Sequence, residues 1–165
     1  MNNFNEFYDT TERREVLSII VVNKDSVLSR IVDLFSARGY NIDSLTVAPV
    51  PDSEYSRITI ITTGIARTID QIVKQLNKLV PVLKVTEHSN VIEKDTVLIK
   101  IPLDQSLSDI DVLARAYNGA IQNVTDDAIV ISATDDPARI LNFIKVMQKY
   151  TPMEIVRSGV VAMER

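Results

Sequence analysis

The sequence predicts an α+β protein made of two successive β-α-β-β-α-β units, each an antiparallel sheet with both helices on one face. Three observations point there. Apolar or alternating runs trade places with helix-period runs in that order twice along the 165 residues. Glycine, proline, Asn or Asp punctuates the joins between them. The length also accommodates two small domains, each of about seventy residues, small enough that docking or pairing should help stabilise it. The expected division is an extension over 1–14, a first domain over 15–89 and a second over 90–165.

Met1 to Glu12 is polar, mixed in charge and without a period, and Phe4, Phe7 and Tyr8 read as part of a frayed terminus rather than as docking residues. Val16 to Val22 is nearly all apolar, which suits a buried strand. Asn23-Lys24-Asp25-Ser26 is a polar loop, and Leu28, Ile31, Val32 and Phe35 then take the spacing of one helix face. Asp25 or Ser26 can cap that helix, and Gly39 stands where a left-handed residue would end it. Leu45 to Val47 is extended, closed by Pro49; Pro51 to Glu54 is turn chemistry, and Arg57 to Thr62 alternates as a half-buried strand does. Thr68 and Gln71 make a capping box for a helix with Ile69, Ile72, Val73, Leu76 and Leu79 or Val80 inward. Pro81 stops it, and Val82 to Glu87 is the fourth strand. His88, the sole histidine, reads as a surface residue at the domain boundary.

The order then repeats, though the residues do not. Thr96 to Ile101 is a strand ended by Pro102, and Ser106 opens a helix carrying Leu107, Ile110, Leu113 and Tyr117 until Asn118-Gly119. Ala120 to Val124 and Ala128 to Ala133 are extended around a turn at Asp126-Asp127. Asp136-Pro137 starts a helix with Ile140, Leu141, Ile144 and Met147 inward, Thr151-Pro152 ends it, and Glu154 to Ala162 is the last strand.

Composition excludes several classes. The net charge is −4, from 18 Lys+Arg against 22 Asp+Glu without a basic cluster, which argues against nucleic acid as a partner. With no cysteine there is neither a disulfide framework nor a thiolate metal site, which suits the cytosol. The apolar run after Arg13-Arg14 is too short for a membrane span and lacks a signal cleavage site, so a soluble, cytoplasmic protein is expected. The pairs Asp126-Asp127 and Asp135-Asp136 invite a metal or acid–base reading, yet each falls at a turn or helix start, where Asp is favoured for structural reasons. No phosphate loop and no nucleophile beside a base is evident, so no catalytic or metal site is expected on this chain.

A polar loop feeding a helix start offers unpaired N–H groups and the positive end of the helix dipole, which suit a small anion such as an amino-acid carboxylate. The plainer reading is that Asn23, Asp25 and Ser26 only turn and cap the chain, because caps are far commoner than ligands.

ARGYNIDSLTVAP (Ala37 to Pro49), SRITI (Ser56 to Ile60), KQLNKLVPVLKV (Lys74 to Val85) and the closing RSGVVAMER (Arg157 to Arg165) resemble the regulatory, small subunit of acetolactate synthase (acetohydroxyacid synthase). The resemblance runs from about Val16 to the end of the sequence and is densest between Leu28 and Val85. It implies that the first domain is an ACT domain, while the second, ferredoxin-like domain rests on the repeated order of elements. It also implies homodimerisation, with a branched-chain amino acid, usually valine, bound where two copies pair. The family's small subunit activates a separate catalytic subunit that carries thiamine diphosphate, magnesium and FAD, and it confers feedback inhibition in branched-chain amino-acid synthesis. No cofactor is implied on this chain itself. Carried over by position, the effector site maps to Asn23, Lys24, Asp25, Ser26, Val27 and Leu28, with Asn41 and Ile42 from the paired protomer. The family carries glycine where this chain has Ser26. A free-standing ACT-type transcription regulator is the alternative, and it would need a DNA-reading element that the sequence does not display. A small enzyme is disfavoured by the same inventory of side chains.

Overall fold

The computed structural model describes residues 10–165, so Phe4, Phe7 and Tyr8 lie outside the described residues. The chain forms two units. The first runs to Val91 and takes in Glu164–Arg165, and the second is Ile92–Met163.

In the first unit β1 (Glu12–Val22), α1 (Val27–Ala37), β2 (Ser44–Pro49), β3 (Tyr55–Ile65), α2 (Ala66–Leu76) and β4 (Val82–His88) follow one another. The sheet order is β2-β3-β1-β4, all antiparallel, so β2 and β4 are its edges. Leu17, Ile19 and Val21 of β1 and Ile58 and Ile60 of β3 share a core with Val27, Ile31, Leu34 and Phe35 of α1 and Ile69, Ile72 and Leu76 of α2. The two periods recognised in the sequence meet on this one sheet face. β1 begins at Glu12, earlier than expected, because Glu12, Arg13 and Arg14 continue the register opposite Ile65, Gly64 and Thr63. Three residues assigned to the extension are thus strand. Gly39 does take the left-handed backbone that ends α1, at φ 67. The capping box at Thr68 and Gln71 does not form: α2 starts at Ala66 behind Ile65 without a side-chain cap, and Gln71 instead accepts from the Tyr40 hydroxyl at 3.3 Å. Val80, offered as an inward residue, is 94% exposed because α2 has already ended at Leu76.

The second unit holds β5 (Val91–Pro102), α3 (Leu107–Ala116), β6 (Gly119–Val124), β7 (Ala128–Asp135), α4 (Pro137–Met147) with a 3-10 turn at Gln148–Tyr150, β8 (Glu154–Arg157) and β9 (Val161–Glu164). Its sheet runs β6-β7-β5-β8, and β9 also pairs with β5. The predicted final strand is therefore two strands. Ser158 breaks it by exchanging bonds with Thr96, whose N–H donates to the Ser158 hydroxyl at 2.9 Å and whose carbonyl accepts from the Ser158 N–H at 2.8 Å. On α4 the core face is Ile140, Phe143 and Met147, while Leu141, expected inward, is 55% exposed. Phe143 lies three residues from Ile140 and four from Met147, and the larger ring takes the centre of the face. At the α3–β6 join Asn118 takes the left-handed backbone, at φ 56, rather than Gly119. Gly119 is needed for close approach instead, since a Cβ there would sit 2.5 Å from the Ser132 carbonyl oxygen.

Asp135 is the centre of an ion-pair network. It is 3% exposed, and its carboxylate accepts from Arg139 Nε, from Lys94 Nζ at 3.1 Å, from Asn118 Nδ2 at 2.9 Å and from the Asp136 N–H at 2.8 Å. The Arg139 guanidinium, above all, holds this carboxyl well below the usual carboxylate range against the opposing effect of burial. Directly opposite on β5, buried Asp95 pairs with Arg157.

Candidate functional site

The loop from Asn23 to Ser26 is held by backbone bonds at the end of β1. The Val22 N–H donates to the Pro81 carbonyl at 3.0 Å, the Asn23 N–H to the Glu54 carbonyl at 2.9 Å and the Lys24 N–H to the Val22 carbonyl at 2.9 Å. The loop is thus pinned between the turn before β3 and the start of β4. The Pro51 to Glu54 turn chemistry was the only sequence signal for this anchor, and nothing in the sequence announced the contact.

Ser26 departs most from expectation. Its backbone is left-handed, at φ 68 and ψ −2, and neither its hydroxyl nor the Asp25 carboxylate caps the helix. Its carbonyl does begin α1, accepting from the Arg30 N–H at 3.1 Å and from the Ser29 hydroxyl at 3.0 Å. With no side-chain cap, the first-turn N–H groups of Val27 and Leu28 stay open at the positive end of the α1 dipole. Asn23, Lys24, Asp25 and Ser26 are exposed, Val27 is buried, and Leu28 is half-buried against the core. The cluster therefore combines free backbone donors, polar side chains and an apolar base.

Asn41 and Ile42 lie elsewhere in the chain. The Asn41 side chain donates to Asp43 Oδ1 at 2.5 Å, its carbonyl accepts from the Thr62 hydroxyl at 2.6 Å, and Asp43 Oδ2 accepts from the Thr63 hydroxyl at 2.7 Å. Thr62 pairs with Glu15, near the start of β1, whereas the loop follows Val22 at its end. Along a strand that separates the two clusters by roughly 20 Å. One copy of the chain does not bring the predicted site residues together; it places them at opposite ends of the sheet. Ile42 is half-buried on the core, so its apolar surface is mostly committed. Among the described residues, no group of three His, Cys, Asp or Glu side chains is placed to hold a metal ion.

Comparison with known proteins adds the decisive observation. Residues 17–84 match the model of the AHAS small subunit-like ACT domain, and residues 94–165 match that of the small subunit of acetolactate synthase. The chain belongs to the acetolactate synthase small-subunit family. The acetolactate synthase small subunit of Haemophilus influenzae is 40% identical over 156 residues, covering 92% of this chain and 96% of that protein. The small subunit of acetolactate synthase isozyme 3 from Escherichia coli is 36% identical over 156 residues, covering 92% and 96%. The crystal structure of the acetolactate synthase small subunit from Thermotoga maritima superposes with a TM-score of 0.86 at 36% identity, covering 93% of this chain and 98% of that one. The two βαββαβ units and the ACT assignment of the first are thereby those of the acetolactate synthase small-subunit family.

Proposed function

We propose that this chain is the regulatory subunit that activates a thiamine-diphosphate-dependent acetolactate synthase catalytic subunit and makes it sensitive to a branched-chain amino acid, most simply valine. The observation that carries the proposal is the placement of the two halves of the effector site. β2 is a sheet edge with Asn41-Ile42 just before its start. Its end, Pro49, pairs with Ser56, on the side of the sheet where Asn23 bonds to Glu54. Pairing β2 antiparallel with β2 of a second copy reverses one sheet against the other. Asn41 of one copy then approaches the Asn23–Leu28 loop of its mate. The open N–H groups at the start of α1 would receive the carboxylate, the Asn23 and Asn41 amides would lie alongside, and Leu28 would face the isopropyl group.

Catalysis, with its thiamine diphosphate, magnesium and FAD, belongs to the catalytic partner in this reading. The alternative of a free-standing transcription regulator is not favoured, since residues 17–84 and 94–165 both match the small-subunit family. The test is a titration of this protein into its cognate catalytic subunit. Acetolactate formation should rise to a plateau and then fall when valine is added. A rate that stays flat across the titration would refute the activating role.

A further inference from the structure

We propose that the last two residues, Glu164 and Arg165, form a clasp that pins the connector between the two units through His88 and Asn90. His88 stands at the end of β4, where Glu87, Ser89 and Asn90 around it are exposed, yet its own side chain is only 8% exposed. The surface histidine expected from the sequence is thus a buried one. Its Nδ1 lies 2.5 Å from Glu164 Oε2, while its Nε2 is buried without a hydrogen-bond partner. Two residues further on, the Arg165 N–H donates to the Asn90 carbonyl at 3.0 Å. The chain leaves the first unit between Val91 and Ile92 and returns to it between Met163 and Glu164, so these two bonds fasten its returning end beside the point of exit.

The chemistry assigns a tautomer. Nδ1 faces a carboxylate oxygen and therefore donates, whereas a proton on Nε2 would meet no acceptor. Glu164 supplies the ring's one hydrogen bond. Without it both ring nitrogens would be buried and unpaired, a costly state that the imidazole escapes by swinging into water. The connector would then lose its side-chain and its backbone restraint together, because Arg165 follows Glu164 directly. Such a clasp carries the β5–β9 pairing one residue beyond Val91 and ties it to the end of β4.

His88 is the sole histidine, so its imidazole nitrogen resonances are read without ambiguity. In the full chain near neutral pH, nitrogen NMR should show the Nδ1–H tautomer, and the Arg165 amide, which donates to Asn90, should exchange slowly with solvent. Removing Glu164–Arg165 should return the ring to the tautomer mixture of free imidazole. Glu164→Gln keeps a carbonyl oxygen for the Nδ1–H and should preserve the tautomer, whereas Glu164→Ala should not and should speed exchange of the Arg165 amide by about tenfold or more. An unchanged tautomer in the shortened chain would overturn the clasp, as would unchanged Arg165 exchange in Glu164→Ala or Glu164→Gln behaving like Glu164→Ala. The measurement needs neither effector nor catalytic partner, so its outcome is independent of the regulatory role.

Discussion

Ser26 holds a left-handed backbone at φ 68 while its side chain caps nothing, so its Cβ meets the neighbouring carbonyl without a compensating contact. Ser26→Gly should therefore raise the stability of the first unit by about 1 kcal/mol, seen as a higher urea midpoint at unchanged slope. It should also tighten valine binding in calorimetry, because a Cβ beside the open helix donors is removed. Weaker binding by the glycine variant would sink the crowding argument. Asn118 provides the contrast. It is also left-handed, at φ 56, but its amide donates to buried Asp135 at 2.9 Å. Asn118→Gly should thus destabilise, since a lost bond to a charged group, about 1.5–3 kcal/mol, exceeds the relief of about 1 kcal/mol. A gain in midpoint for Asn118→Gly would show that strain dominates there. The sequence offered Ser26 as a cap because serine is a common N-cap residue; only the family's glycine hinted at positive φ. The loop, its helix and its apolar base were legible. The backbone state of one residue was not, since residue type does not determine φ when the anchors come from Glu54 and Pro81.

Among the elements, β7 and α4 depend on the Asp135 network. Arg139→Met removes the strongest partner of a buried carboxylate and should cost about 1.5–3 kcal/mol. Lys94, whose side chain is 40% exposed, bridges Asp135 and exposed Asp136, and Lys94→Met should cost less, about 1 kcal/mol or below. If the two variants melt alike, the ranking of partners is wrong. The network also sets an acid limit. Asp135 has a depressed folded-state pKa, so its contribution is complete above the unfolded aspartate value of about 3.9 and fades as pH falls from there towards the lower folded value. The midpoint of the second unit should drop across that window in the wild type and less in Arg139→Met. This network was invisible in the sequence, where Asp135-Asp136 read as a helix start. Asp136 does play that part ahead of Pro137, but burial of Asp135 depends on pairing with β5 and on Arg139 lying one turn along α4. The periodic features fared better. Ile69, Ile72 and Leu76 are core residues as their spacing required. Leu141 and Phe143 exchanged places because several apolar residues crowd α4 and the period alone does not choose among them.

At the scale of the whole molecule, the separation of Asn41 from the Asn23–Leu28 loop means that the proposed effector site needs two chains. If the site is completed across β2, loss of self-association must lower affinity for the amino acid. Asn41→Ala should lower valine affinity about tenfold, the worth of one hydrogen bond to a charged group, without changing the oligomeric state. Val47, 45% exposed on the β2 edge, offers the complementary test. Val47→Lys brings two ammonium groups near one another across the two-fold axis of an antiparallel β2 pair, and a charge on an edge strand is a recognised block to strand addition. Light scattering at micromolar concentration should show a dimer for the wild type and a monomer for Val47→Lys, and the monomer should bind valine at least tenfold more weakly although every predicted contact residue is intact. Val47 lies opposite Ile58 on the helix-covered face of the sheet, but at its open edge and 45% exposed, so the lysine stem can carry its ammonium into water and circular dichroism should be unchanged. A monomeric Val47→Lys that binds valine as tightly as the wild type would place the effector within one chain and end the shared-site reading.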